Sequence, residues 1–457
     1  MSNGLLKRSL IAVAVSGLMA SSAAYATNGY FAHGYSTKEK GLAGAGVAHS
    51  QDALAVATNP AGIAGMGSRM DVGAALFNPN RSYTVSGTPT NSPTNCSVGN
   101  EPACGAFSLD EGTVESDSTL FLIPHFGYVW QQDSETSVGL GVYGNGGMNS
   151  NYSGGGAAYQ SPVSGVGVNP PGTFGAGNAG VNLAQLFFNL TYAKKINADH
   201  SVGASLIFAY QKFSADGLGS FGGFSLAPGN LSSKGSDTAT GFGARFGWQG
   251  KVSSSVTLGA SYQTEVAMSE FDDYAGLFAE QGDFDIPATL ILGMAWDIDD
   301  KSTLVIDLQQ IYYEDVASIA NPVSNMLTGC TPSPTGGTGA GCLGGSNGGG
   351  FGWENMTVFK VGYEWKVNDM TMRAGISTTD QPIPNSETMF NILAPGVVET
   401  QLTFGMTMPL GSNTELSFAG MYAPSVDVSG ANPMDSAQTI KIEMDQFEVQ
   451  GTYSMKF

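Results

Sequence analysis

From Gln446 to the end the chain alternates without a break. Phe447, Val449, Tyr453, Met455 and Phe457 fall on one side, and Gln446, Glu448, Gln450, Thr452, Ser454 and Lys456 on the other. A period of two is that of a strand with lipid on one face and water on the other. The same pattern recurs at 120–130, 186–192, 202–210, 242–248, 256–262, 286–296, 304–308, 359–365, 370–376, 402–408 and 416–422. With weaker strands near 69–79 and 137–149 and the terminal strand, the total is about fourteen, an even number that suits a closed single-chain barrel. The expected fold is an all-β membrane protein, a 14-stranded antiparallel transmembrane β-barrel spanning residues 67–457.

Short polar turns near 132–136, 197–200, 253–255, 299–301, 368–369 and 411–413 alternate with longer segments near 80–117, 151–181, 214–238, 270–283, 314–355, 380–398 and 424–438. In such barrels the short turns belong to the periplasmic end and the long loops to the outside. Trp130, Trp248, Trp296 and Trp365, four of the five tryptophans, each precede a short turn and mark one rim. Gln185, Asn189, Ser205, Gln211, Arg245, Gln249, Gln263, Glu265, Asp307, Gln309, Lys360 and Arg373 are expected to face inward. Phe121, Ile123, Phe187, Ile207 and Phe213 share that side. A wide water channel is lined more continuously by polar groups, so the apolar members imply that something fills the lumen.

The N-terminal residues break the pattern. Lys7 and Arg8 precede an apolar run, Leu10 to Met19, too short to span a bilayer, and Ala24-Tyr25-Ala26 has the form of a signal-peptidase site. Residues 1–26 therefore read as a signal peptide and imply export. Residues 27–66 do not alternate; their glycines, small residues and short helical stretches suit an N-terminal hatch, or plug, inside a barrel of this width.

Composition narrows the class further. No later segment is an uninterrupted apolar run of about twenty residues, so the chain does not cross a membrane as helices. Only 12% of residues are charged, and the formal net charge is −20; losing Lys7 and Arg8 makes it more negative still. That balance argues against nucleic acid as a partner. Four cysteines form two local pairs, Cys96 with Cys104 and Cys330 with Cys342. In an exported chain these read as two loop-stapling disulfides, and His33, His49, His125 and His200 cluster near neither pair, which disfavours a metal site. No cofactor is expected.

At this point the sequence resembles a known family. Asn28-Gly29-Tyr30, Gly41-Leu42-Ala43-Gly44-Ala45-Gly46, Asp52-Ala53, and Asn59-Pro60-Ala61-Gly62 match the FadL family of outer-membrane transporters for long-chain fatty acids and related hydrophobic compounds. The match continues at Tyr274-Ala275-Gly276-Leu277-Phe278, Asp285-Ile286-Pro287-Ala288-Thr289, Arg373-Ala374-Gly375, Pro382-Ile383-Pro384 and the terminal Phe457. The resemblance implies a Gram-negative outer-membrane location, capture of cargo by extracellular loops, an inner apolar pocket near the hatch, and lateral exit through a kinked third strand. Asn59, Pro60 and Ala61 carry the hatch motif. Gly144, Asn145, Gly146 and Gly147 lie in the third strand, where glycines weaken pairing and permit bulges, though an ordinary glycine-rich strand reads the same way. Phe221, Phe224, Leu277 and Phe278 are candidate ligand contacts in the loops, or loop packing. For a carboxylate, Lys38, Lys40, Arg245 and Arg373 are the available cations, unless they pair with lumen acids such as Glu265 and Asp307.

The expected function is passive uptake of long-chain fatty acids or similar hydrophobic molecules by a monomer that contacts outer-membrane lipid and lipopolysaccharide. Its terminal strand would be recognised by the barrel-assembly machinery. The alternatives are an aromatic or alkane hydrocarbon importer of the same family and a general diffusion porin. An enzyme is disfavoured. No Gly-x-Ser-x-Gly elbow occurs, and the G-x-G-x-x-G match at 139–144 lies in an alternating strand with no helix after it.

Overall fold

The computed structural model describes residues 28–90, 106–160 and 167–457. The expected signal peptide lies outside these residues. Of the two expected disulfides, the one between Cys96 and Cys104 also falls outside the described residues, whereas Cys330 and Cys342 are joined.

The barrel strands are β1 (Arg69–Ser86), β2 (Phe121–Gln131), β3 (Thr136–Tyr152), β4 (Ala179–Lys195), β5 (His200–Asp216), β6 (Asp237–Lys251), β7 (Val256–Gln263), β8 (Thr289–Asp299), β9 (Ser302–Ile311), β10 (Met356–Val367), β11 (Met370–Thr378), β12 (Thr400–Pro409), β13 (Thr414–Asn432) and β14 (Asp435–Lys456). Each pairs antiparallel with the next, and β14 pairs with β1 from Arg69–Lys456 to Ser86–Thr439, closing the cylinder at 14 strands. Closure leaves no free edge, the condition a strand protein must meet in lipid.

The period-two reading survives in the burial. Leu190, Tyr192, Leu206, Phe242, Phe246, Leu402 and Phe404 are exposed on the outer wall, a continuous apolar surface that only lipid satisfies. Gln185, Asn189, Ser205, Gln211, Arg245, Gln263, Asp307, Gln309, Lys360 and Arg373 are buried inside with Phe121, Ile123, Phe187, Ile207 and Phe213, and Gln249 is half-buried there. Trp130 and Trp296 are exposed at the short-turn rim, where Tyr128 stacks between Trp130 at 4.2 Å and the terminal Phe457 at 5.9 Å.

Three expectations need correction. Glu265 does not face inward: β7 ends at Gln263, the chain slips at 264–265, and Val266 becomes the buried residue while Glu265 is exposed. Residues 424–438 are not a loop, because β13 and β14 run on as a long hairpin that turns between Asn432 and Asp435. Likewise β1 continues to Ser86, beyond the start of the long segment expected at 80.

Residues 28–66 contact the inner wall all the way round. They hold two short helices, α1 (Thr37–Lys40) and α2 (Ala55–Thr58), and a 3-10 turn at Pro60–Ile63. Ser36 and Glu39 form a capping box on α1. The wall makes room with glycines that face one another across strands: Gly127/Gly141, Gly203/Gly247, Gly259/Gly293 and Gly362/Gly375. A methyl group on Gly141 would come 2.5 Å from Val56, and one on Gly362 2.6 Å from Leu42. Asp307 Oδ2 accepts from the Gly46 and Val47 amides at 2.8 and 3.0 Å. Lys360 donates to the carbonyls of His33 and Gly44.

Candidate functional site

The Asn59-Pro60-Ala61 motif is structural in the plainest sense. Asn59 Oδ1 accepts from the Ala61 amide at 3.1 Å, and Pro60 fills the first position of the turn, where no N–H is needed. Asn59 Nδ2 donates to the carbonyls of Val47 and Trp248, tying the turn to another part of the segment and to β6. An aspartate would carry the cap but lack those two donors.

All four of the sequence-chosen cations are held in this same packing. Lys38 pairs with Glu415 at 2.5 Å, and Arg373 pairs with Glu364 at 2.8 Å and donates to Gln51 Oε1. Arg245 donates to the Thr58 carbonyl and to Gln263. Lys40, fully enclosed, pairs with Glu448. The partners expected for them, Glu265 and Asp307, do other things: Glu265 is outside, and Asp307 binds amides.

The apolar candidates lie at the other end. Leu277 and Phe278 line a small cavity of about 40 Å³ with Val181, Phe213, Leu218, Leu343, Phe351, Phe390 and Leu393. Among these residues there is no ionisable side chain, so the cavity favours apolar matter. Phe221 stands one layer behind, its ring 5.4 Å from that of Phe390. Phe224 does not line the cavity; its carbonyl accepts from the Leu343 amide. The bond between Cys330 and Cys342 ends one residue before Leu343. Sequence reasoning missed Phe390 and Leu393, although the apolar cluster at 389–393 in an expected loop was the available signal.

A line of rings leads inward from the cavity. Phe213 meets Phe278 at 4.7 Å, Phe278 meets Phe284 at 4.8 Å, Phe284 meets Tyr30 at 6.2 Å, and Tyr30 stacks on Phe31 at 5.1 Å. Trp353 and Tyr313 close around Tyr30 at 5.9 and 5.3 Å, and Trp353 donates to Asn391 Oδ1 at 2.6 Å.

The line ends at the third strand. The β3–β4 register shifts between Gly144 and Gly146, leaving Asn145 unmatched in a bulge. On its other side β3 pairs with β2 only from Ser137–Gln131 to Tyr143–His125. Beyond that point β2 residues 121–124 and β3 residues 144–152 do not pair. The β3 backbone turns instead to residues 30–32: Ala32 N donates to Asn145 O, and Gly147 N to Tyr30 O, at 3.0 and 2.9 Å. Farther out, residues 116–119 bridge the two sides. Ser116 N donates to Arg81 O, Asp117 N to Asn151 O, and Asn151 N to Ser116 Oγ. The unpaired stretch is thus a window in the wall with a paired sill below and a strap above. Gly144, Asn145, Gly146 and Gly147 form one of its sides, and Pro124, which has no N–H to leave unsatisfied, stands on the other.

Outside the barrel wall, Asp283 and Asp285 follow the left-handed Glu280 and Gln281 in the loop between β7 and β8. Burial, then the adjacent Asp285, pushes the Asp283 carboxyl up to about 7, and burial with Asp285 raises Glu265 as well.

Comparison with known proteins places this architecture. The family model described as outer membrane protein transport protein (OMPP1/FadL/TodX) matches residues 17–452. The toluene transporter TodX of Pseudomonas putida is similar in fold, with a TM-score of 0.63 at 16% identity over 93% of this chain and 99% of that one. A FadL homologue from Pseudomonas aeruginosa gives 0.61 at 15% identity over 94% and 100%. The Ralstonia pickettii toluene transporter TbuX gives 0.56 at 17% over 93% and 99%. A comparison with curated proteins gave no match.

Proposed function

Because this chain belongs to the outer membrane protein transport protein family (OMPP1/FadL/TodX) of Gram-negative outer membranes, we propose that it takes up long-chain fatty acids or related hydrophobic molecules by a passive route. The observation that carries this reading is the line of rings from the apolar cavity to the window in β2–β3. In this reading the cavity gathers cargo that enters between the outer loops, with Leu277 and Phe278 in contact and Phe221 behind them. Residues 27–66 act as the hatch that closes the lumen to solutes. Displacement of residues 30–32 from the bulge at Asn145 frees the window, and cargo leaves sideways into the membrane. Transfer of an apolar chain gains roughly 0.8 kcal/mol per buried CH₂, so the driving force needs no nucleotide or ion.

The alternative cargo is a monoaromatic hydrocarbon, favoured by the toluene transporters among the structural neighbours. A general diffusion porin is disfavoured, since buried side chains of residues 28–66 occupy the barrel interior. The terminal strand ending in Phe457 is proposed as the mark read by the barrel-assembly machinery, and the aromatic rims as the contact with lipid and lipopolysaccharide.

Uptake of radiolabelled oleate and of toluene, compared in cells with and without the protein, tests the reading. Faster uptake of either is expected. Unchanged uptake of both, with new permeability to small sugars, would sink it.

A further inference from the structure

Seven basic side chains are buried among the described residues: Lys38, Lys40, Arg69, Arg81, Arg245, Lys360 and Arg373. Six of them are engaged with residues 28–66 or with carboxylates beside that segment: Lys38 with Glu415, Lys40 with Glu448, Arg69 with Asp71, Arg373 with Glu364, Lys360 with two carbonyls, Arg245 with Thr58 and Gln263. Arg81 is different. It points inward from β1 and is 4% exposed. Its guanidinium lies over the Phe121 ring at 6.0 Å and donates from Nη1 to the Ser118 carbonyl at 3.2 Å, while Nη2 has no partner. No carboxylate lies within ion-pair distance of it among the described residues. Glu115, Glu443 and Asp445 line a polar groove together with Asn80, Arg81 and Ser82, but among the described residues none of the three reaches ion-pair distance of the guanidinium.

The position matters as much as the imbalance. Phe121 is the first residue of β2 and stands where β2 has lost its β3 partner. Ser118 belongs to the strap, and Tyr152, the last residue of β3, also has a buried hydroxyl without a partner. An unneutralised buried guanidinium is costly, and its planar fork fits a carboxylate in two parallel hydrogen bonds. The phenol of Tyr152 is a further donor for the same group.

We propose that Arg81 is the anion anchor at the outer corner of the window, and that it selects cargo carrying a carboxylate over neutral hydrocarbon of the same length. The proposal rests on the uptake reading above and sharpens its substrate class. The carboxylate would occupy Nη2 while the acyl chain lies against Phe121 along the unpaired strand. Nη1 keeps the Ser118 carbonyl in place, so the strap need not open for the head group to bind.

The test is equilibrium binding of oleate and of its methyl ester to the purified full-length protein, the Arg81→Met variant and the Arg81→Lys variant. The native protein is expected to prefer oleate by about tenfold or more, the scale of one charge-assisted hydrogen bond. Arg81→Met should bring the ratio near one with ester binding retained, and Arg81→Lys should keep part of the preference. Should Arg81→Met fail to fold, as judged by gel mobility before and after heating, Arg81→Gln retains a donor for Ser118 and carries the same expectation. Equal binding of acid and ester by the native protein, or a preference that survives loss of the charge, would overturn the proposal. If cells take up neither oleate nor toluene, the uptake reading fails, and the binding ratio still decides the role of Arg81.

Discussion

The Tyr35 hydroxyl donates to Asn145 Oδ1 at 2.9 Å, joining the N-terminal segment to the one unmatched residue of β3. Asn145 in turn donates to Gln185 on β4 at 2.9 Å. The bulge is therefore held from inside the barrel and from the neighbouring strand at once. Tyr35→Phe removes the inner tie at a cost of about 1 kcal/mol. The expected result is faster hydrogen exchange at the amides of Ala32 and Gly147, with the rest of the barrel unchanged. Equal exchange in both proteins would show that the bond does not hold the bulge.

The cross-strand glycines set the clearance for residues 28–66. A methyl on Gly375 would fall 2.6 Å from the backbone of Leu42 and Ala43, which cannot move aside as a side chain would. Gly375→Ala should lose about 1–3 kcal/mol, the usual cost of overpacking. Gly420→Ala, where the added methyl would have its nearest neighbour 3.9 Å away, is the control with little expected change. Urea midpoints of the folded-barrel gel band measure both.

Lys40 and Glu448 meet at 2.5 Å with both side chains 2% exposed. Removing one charge leaves the other enclosed. Glu448→Gln is expected to cost about 3–5 kcal/mol, whereas Lys40→Met combined with Glu448→Leu should recover most of that loss. A double variant no more stable than the single one would mean that other contacts of Lys40 dominate.

Asp283 sets a pH dependence for its loop. Its carboxyl stands at about 7 when folded, against roughly 3.9 when unfolded. Between these values the folded loop keeps a proton that the unfolded one has lost, so local stability falls as pH rises through that window. Exchange at the Val266 and Ile286 amides, which bond each other's carbonyls, should quicken from about pH 5 to about pH 8 beyond the intrinsic rise in exchange rate. Asp283→Asn should flatten the trend. A trend that persists in the variant would assign it to another group.

The barrel itself was legible in the sequence because each strand in lipid must alternate, and alternation is visible without neighbours. Glu265 and residues 424–438 were misread for a related reason. A slip of one residue after Gln263 reverses facing, and the exposed polar faces of the β13–β14 hairpin, with Asp427, Ser429 and Glu443, resemble a loop once the strand leaves the lipid. Of the two cysteine pairs, Cys330 and Cys342 meet as their short spacing suggested, while Cys96 and Cys104 lie outside the described residues. Asn59-Pro60-Ala61 was recognisable as a motif, but its reason, two donors reaching Val47 and Trp248, needed the fold. The cavity drew Leu277 and Phe278 from one loop, and Phe390 and Leu393 from another far along the chain, a meeting that no local pattern announces. Arg81 escaped notice because only the missing partner distinguishes it from other inward-facing basic residues.

The window has a mechanical consequence. Tension around a closed cylinder runs from strand to strand, and an ordinary slit would let it unzip. Here the load passes the perforation on both sides, through the ladder from Tyr143–His125 to Ser137–Gln131 below and through the strap at Ser116–Asn151 above. The unpaired stretch is framed like a porthole in a hull: it lacks ladder bonds between β2 and β3 while the hoop around it stays whole.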